Sequence, residues 1–264
     1  MEKFIDQVVD WEVKYQFILY VSRTKINHIV PRSYLSSWAR FNRKGELRVL
    51  DIKAYDPKKV MQKHARAVCY EKFYYPQIVE NFLQQEIETP AADIWTGFLD
   101  SEMKGVKREI IARFIAYQAL RSKESMDKIM TLIMLGPGRD NVFIPKKLVE
   151  GMDPVLVFKK LRSDIECVAE LLSQRNWKII DFKANLCVET SDSPVCIGHD
   201  EQKIVHGFLH EEIIIFPMSP CHVLIINQSE PFGYKREEVL PGMAKSINNL
   251  VRHWARRYII LPPK

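Results

Sequence analysis

Trp177-Lys178-Ile179-Ile180-Asp181-Phe182 is the stretch on which the fold class turns. Residues 154 to 175 before it repeat apolar side chains at helical intervals. Here the apolar positions tighten to a strand-like spacing, which returns at Leu186-Cys187-Val188, Ile213 to Phe216 and Val223 to Ile226, separated by Gly, Pro, Asp and Ser. Upstream, Val106, Ile110, Ile111, Phe114, Ile115, Ala119 and Leu120, then Met130, Ile133 and Met134, give a helical pattern over 105 to 135 that Gly136-Pro137-Gly138 should end. Ile78, Val79, Phe82, Leu83, Ile87, Ile94, Trp95 and Phe98 do the same over 77 to 100, with Pro90 as a kink or restart. Downstream, Met243, Ile247, Leu250, Val251 and Trp254 predict a last helix after Pro241. Helices and strands in blocks, not in strict alternation, imply an α+β fold. The expected order is a central helical block, a mostly antiparallel strand-rich segment and a closing C-terminal helix.

The N-terminal quarter is less regular. Tyr34, Leu35, Trp38 and Ala39 suit a short helix started by Pro31, and Asn42-Arg43-Lys44-Gly45 reads as a hairpin turn leading into a strand through Leu47, Val49 and Ile52. Phe4, Ile5, Val8, Val9, Trp11 and Val13 are too dense for one helical stripe, so residues 4 to 21 are either a helix or an extended arm. No repeat, low-complexity tract or Pro-rich linker divides the chain, and a single domain over 1–264 is expected.

Composition narrows the class. With 47% hydrophobic and 27% charged residues the chain has the profile of a packed globular protein, which excludes global disorder. The 39 Lys and Arg exceed the 33 Asp and Glu by six, a mild basic balance that favours phosphates only where it is clustered. Five scattered cysteines without a Cys-x-x-Cys pair point neither to a disulfide framework nor to a zinc ribbon, and suit a reducing cytosol. The charged N-terminus lacks a signal-peptide stretch, and no run reaches the roughly 18 apolar residues of a membrane span. A soluble, cytoplasmic protein is the expectation.

Six polar residues invite chemistry. His28, in Asn27-His28-Ile29-Val30-Pro31, titrates in the range of a general base, although a histidine there can equally brace the following helix. The string also resembles the His-bearing strand of His-Asn-His nucleases, but Asn27 stands where those have an acid, and His64 is farther on than a compact metal unit allows. Glu80 and Glu88 fall within about 80° on a helical wheel, so they could hold Mg²⁺ or serve as acid and base, or be ordinary surface acids. Gln118 and Arg121 are neighbours on an otherwise apolar helical face, where they need partners: an anionic ligand or another element. Asp192, in Thr190-Ser191-Asp192-Ser193-Pro194, sits in a turn that can satisfy its own backbone. His199, His206, His210 and His222 have no recognised metal spacing, and basic Arg252-His253-Trp254-Ala255-Arg256-Arg257-Tyr258 reads as nucleic-acid contact or as a solvated helix face.

Taken in order, His28-Ile29-Val30-Pro31 with Tyr34-Leu35 and Trp38-Ala39, Phe73-Tyr74, Val79-Glu80 through Ile87-Glu88, Phe114-Ile115-Ala116 with Gln118 and Leu120-Arg121, Trp177, Thr190 to Pro194, Phe216-Pro217-Met218-Ser219-Pro220, and Asn248-Asn249 before Arg256-Arg257 resemble the domain-of-unknown-function family 4238. The resemblance runs from about residue 26 to 258. It implies that His28, Glu80, Glu88, Gln118, Arg121 and Asp192 are family positions; Ser193 departs from the asparagine usual in the Ser-Asp-Asn-Pro turn.

These residues support two readings. In the first, the protein is a nucleic-acid-acting hydrolase, a nuclease of defence or toxin type, with His28, Glu80, Glu88 and Asp192 catalytic, Gln118 and Arg121 binding substrate, and Mg²⁺ as a cofactor the carboxylates could hold. In the second it is a non-catalytic binding or regulatory module whose polar residues form a buried network. Consecutive helices joined by a short turn should bring Glu88 to the level of Gln118 and Arg121. His28 is expected to join them in one concave site, with Asp192 at the rim.

Overall fold

The computed structural model describes residues 27–41, 44, 47–54, 59–71, 77–98, 104–121, 154–183, 186–197, 213–228, 231–238 and 242–263. The expectations for residues 4 to 21, for Gly45, for Phe73-Tyr74, for the helical pattern beyond Arg121 with its Gly-Pro-Gly stop, and for His199, His206 and His210 lie outside them.

Strand β1 (Asn27–His28) pairs antiparallel with β5 (Tyr70–Glu71), and Pro31 starts the short helix α1 (Arg32–Leu35), which tightens into a 3₁₀ turn over Ser36–Trp38. Tyr34, Leu35 and Trp38 are buried there, so the helix is held by its apolar face and not by its length. The expected hairpin follows: β2 (Arg40–Phe41) pairs with β3 (Leu47–Ala54), which pairs on its other edge with β4 (Met61–His64).

The helical block begins with α2 (Gln77–Phe82), and then the chain widens into a π segment, Leu83–Glu88, before α3 (Thr89–Phe98). Thr89 N–H bonds the carbonyl of Gln84, five residues back. Pro90 has no N–H to give, and the wider turn lets the chain pass it and continue as helix. Helix α4 (Val106–Leu120) lies against α5 (Pro154–Ser173), and both feed the main core.

One sheet has the order β11-β6-β10-β9-β8, built from β6 (Asn176–Asp181), β8 (Cys196–Ile197), β9 (Ile213–Ser219), β10 (His222–Asn227) and β11 (Tyr234–Glu238). Its pairs are antiparallel except β11 with β6, which is parallel. Trp177, Ile179, Ile214, Phe216, Leu224 and Ile226 join the core shared with the helices, whereas Ile180, Val223 and Cys196 join a second cluster with Ile247 and Val251 of α6 (Met243–Trp254). Both faces are therefore covered, which is why the strands read as nearly continuous apolar runs.

Two expectations are corrected. Leu186-Cys187-Val188 is not a strand: Leu186 N–H turns back to the Lys183 carbonyl and Val188 N–H bonds the Pro220 carbonyl, and the ladder begins only at β7 (Thr190–Ser191). Nor does the last helix close the fold, because β12 (Tyr258–Ile260) follows and pairs with both β3 and β7. The second sheet, β2-β3-β12-β7 with β4 on β3, thus joins both ends of the chain. Helices with antiparallel and mixed sheets make this an α+β protein. Among the described residues no helix is long and apolar enough to cross a membrane.

Candidate functional site

The site grows from the β1–β5 ribbon. Ile29 and Val30 N–H groups both reach the Cys69 carbonyl, 2.7 and 3.4 Å, and Cys69 holds a left-handed backbone (φ 53°) that turns this carbonyl toward them. That turn fixes Asn27 and His28 side by side. Buried Asn27 donates from Nδ2 to Glu80 Oε2 at 3.0 Å, so it is no metal ligand but a clamp on α2.

His28 is partly buried and surrounded by positive charge. Desolvation lowers its pKa, and Arg32, Arg121 and Arg66 lower it further, while a backbone hydrogen bond at Arg66 opposes them. The imidazole is therefore neutral at neutral pH, and its Nε2 has no hydrogen-bond partner. Arg32 and Arg66 are exposed and form no ion pair among the described residues.

On the helical side, Glu88 sits in the π segment and faces the end of α4. Its Oε1 accepts from Tyr117 Oη at 3.0 Å and from Arg121 Nη1 at 2.8 Å, and the Arg121 guanidinium also covers the Tyr117 ring at 4.6 Å. Arg121 is 1% exposed. Burial pushes Glu88 up to about 7 against the pull of Arg121, and the nearby Glu80 carboxylate adds to the rise. Gln118, one turn before Arg121, is buried with neither amide atom hydrogen-bonded.

The ideal helical wheel that puts Glu80 near Glu88 does not hold across the π segment between them, yet in the fold the Glu80 carboxylate still acts on Glu88. Asp192 is occupied differently from the other five. Its two oxygens accept Arg256 and Arg257 N–H at 2.9 and 2.8 Å, stitching the end of α6 to β12, and burial raises its pKa against those backbone bonds. It lies within electrostatic reach of Cys69, behind the His28 turn. Ser193, the departure from the family pattern, has its N–H and carbonyl both bonded to Ser191 Oγ.

The raised Glu88 makes stability depend on pH. Between the ordinary value of 4.5 and about 7 the folded chain binds a proton that the unfolded chain has lost, so this residue's contribution declines as pH rises through that window and is flat above it. Wild type should lose up to about 3 kcal/mol more than Glu88→Gln between pH 4.5 and 7.5 in urea titrations. Parallel curves for the two proteins would contradict the assignment.

No three His, Cys, Asp or Glu side chains among the described residues converge as a metal cluster. Glu88 is engaged by Arg121 and Tyr117, and Glu80 by Asn27, so this donor set does not fit Mg²⁺. His64 accepts Arg66 N–H and so caps a 3₁₀ turn. His222 bridges Ser219 Oγ at 2.6 Å and Asp181 at 3.6 Å across a hairpin turn whose Ser219 also accepts Cys221 N–H. Arg252 of the basic C-terminal run is spent on a two-pronged bond to Glu189, 2.7 and 2.6 Å.

Arg32, Arg66, Tyr117 and the clamp role of Asn27 do not stand out in the sequence. Arg32 directly follows Pro31 and Tyr117 directly precedes Gln118, whereas Arg66 carries no local signal. Buried Tyr34 explains why distant motifs belong together, since its hydroxyl donates to the Pro217 carbonyl at 2.6 Å and meets Thr190 Oγ1 at 2.7 Å.

Two segments of the chain, 27–143 and 144–264, match the family model described as "Protein of unknown function (DUF4238)". No curated protein and no solved structure matches the chain. The match covers every residue placed in the cluster above, from Asn27 to Arg121, as well as Asp192. The chain belongs to the DUF4238 family.

Proposed function

We propose that the cluster around His28 is the active site of a hydrolase acting on nucleic acid. The observation that carries the reading is the His28 imidazole, whose buried Nε2 meets no partner, within electrostatic reach of Arg32, Arg66 and Arg121, the last of these one turn along α4 from Gln118, whose amide atoms are likewise unmet. Each buried unmet polar group costs about 1–3 kcal/mol, a cost that a bound polar substrate would offset. Three guanidiniums around a neutral imidazole suit a phosphate, which Arg recognises with paired donors.

In this reading neutral His28 takes a proton from the attacking hydroxyl or water through Nε2. Glu88, titrating near 7, supplies a proton to the leaving oxygen, and Glu80 helps to keep it protonated. Arg121, Arg32 and Arg66 hold phosphate charge, and Gln118 binds a polar edge of the substrate. Asp192 holds the backbone behind the site and takes no part in proton transfer. A defence or toxin role would follow from such an activity.

The competing reading is a non-catalytic module in which the same groups form a structural network. It is favoured by the completed Glu88–Tyr117–Arg121 contacts and the 1% exposure of Arg121. Labelled single- and double-stranded RNA and DNA, incubated with the full chain with and without EDTA, separate the two. We expect cleavage of at least one substrate to persist in EDTA; no cleavage in any buffer, including those with added divalent ions, would overturn the hydrolase.

A further inference from the structure

Cys187 and Cys221 are 34 residues apart in the chain, yet their sulfurs lie 3.9 Å from each other. The backbone on both sides is tied down: Val188 N–H bonds the Pro220 carbonyl at 2.8 Å, Phe182 N–H bonds the Cys221 carbonyl at 2.8 Å, and Cys221 N–H bonds Ser219 Oγ at 3.2 Å. Both thiols are partly exposed, whereas Cys69 and Cys196 are buried; Cys167 is exposed. Two sulfurs already in contact need to close by only about 2 Å to reach the bonded distance.

We propose that Cys187 and Cys221 form a dithiol modification site, which a low-molecular-weight disulfide such as oxidised glutathione converts into an intramolecular disulfide. The Cys187 thiolate attacks one sulfur of the glutathione disulfide and expels one glutathione thiolate, which takes up a proton. Cys221 then gives up its proton and attacks the Cys187 sulfur of the mixed disulfide, expelling the second glutathione. The protein loses two hydrogens and two electrons, and the oxidant leaves as two glutathione thiols. Burial and the adjacent Cys187 push the Cys221 thiol up to about 11, which keeps Cys221 protonated until the mixed disulfide forms beside it.

The bond would brace two segments that seat Tyr34. The one beginning at Cys187 offers the Val188 carbonyl to Trp38 Nε1 and Thr190 to Tyr34, and the hairpin bearing Cys221 offers the Pro217 carbonyl to Tyr34. Helix α1, which carries Tyr34, starts just after His28. The dithiol site is nevertheless independent of the hydrolase reading.

The test uses the folded full chain, incubated with oxidised glutathione, freed of excess, then unfolded and alkylated without reductant for intact-mass and peptide mapping. We expect two of the five thiols to escape alkylation together, the Cys187 and Cys221 peptides to be joined, and dithiothreitol to restore both. Cys221→Ser should instead stop at the mixed disulfide on Cys187. Five alkylated thiols, a stable mixed disulfide in the wild type, or linkage through Cys69, Cys167 or Cys196 would each overturn the proposal.

Discussion

Arg121→Ala should lower the melting temperature by roughly 10 °C, because it removes one partner of a buried ion pair and leaves the other, a change that costs about 3–5 kcal/mol. Three losses coincide at this residue. Glu88 Oε1 loses its 2.8 Å donor, the Tyr117 ring loses the guanidinium over its face, and a side chain that is 1% exposed leaves a void at the end of α4. Arg121→Lys should recover only part of the loss, since a lysine offers one point of charge and cannot lie flat on the tyrosine. Replacing both partners, Glu88→Leu with Arg121→Met, should recover most of it, because an apolar pair of similar volume needs no compensation. Thermal melts of the four proteins check this. A loss under about 2 °C for Arg121→Ala would mean that the pair is not as buried as its geometry implies.

The architecture was legible where a pattern repeats over several turns. Helices α4 and α5 declared themselves through long apolar periodicities, and β6, β9 and β10 through runs too apolar for a half-solvated strand. Strands of two or three residues left no such trace. Tyr258-Ile259-Ile260 is too short to show an alternation, and its partner β3 is some two hundred residues away, so only the closed sheet identifies it. Leu186-Cys187-Val188 failed for the opposite reason: its composition suits a strand, but its backbone groups are met by Lys183 and Pro220 instead. The π segment was invisible, because shifting a hydrogen bond by one residue leaves the identity of the apolar side chains unchanged.

At the site, Gln118 and Arg121 stood out as polar residues inside an apolar helix, and the order of the helices pointed Arg121 to Glu88. That logic needs only neighbouring elements. Arg66 and Arg32 gave no comparable signal, since exposed arginines in short segments are ordinary surface residues until the fold sets them around His28. Asp192 shows the reverse case. Its turn looked chemical in sequence, while its carboxylate is occupied with the backbone of Arg256 and Arg257. The thiol pair belongs with Arg66, because no spacing rule links residues 187 and 221.

His28→Ala distinguishes a catalytic cluster from a structural one most sharply, because the two readings predict opposite responses from the same protein preparation. As the general base, His28 should be worth about 10²–10⁴-fold in rate. As a partly buried ring whose unmet Nε2 offsets its one hydrogen bond to the Arg66 backbone, it contributes little net to the fold, and its removal should leave the melting temperature unchanged or slightly raised. A member of a buried network would behave differently, with melting several degrees lower and any residual activity tracking the folded fraction. The direct measurement is therefore single-turnover cleavage of the substrate found in the nucleic-acid panel, with a thermal melt of the same wild-type and His28→Ala samples. The account predicts a rate at least about a hundredfold lower at an unchanged melting temperature; a lowered melting temperature with the rate per folded molecule preserved would contradict it.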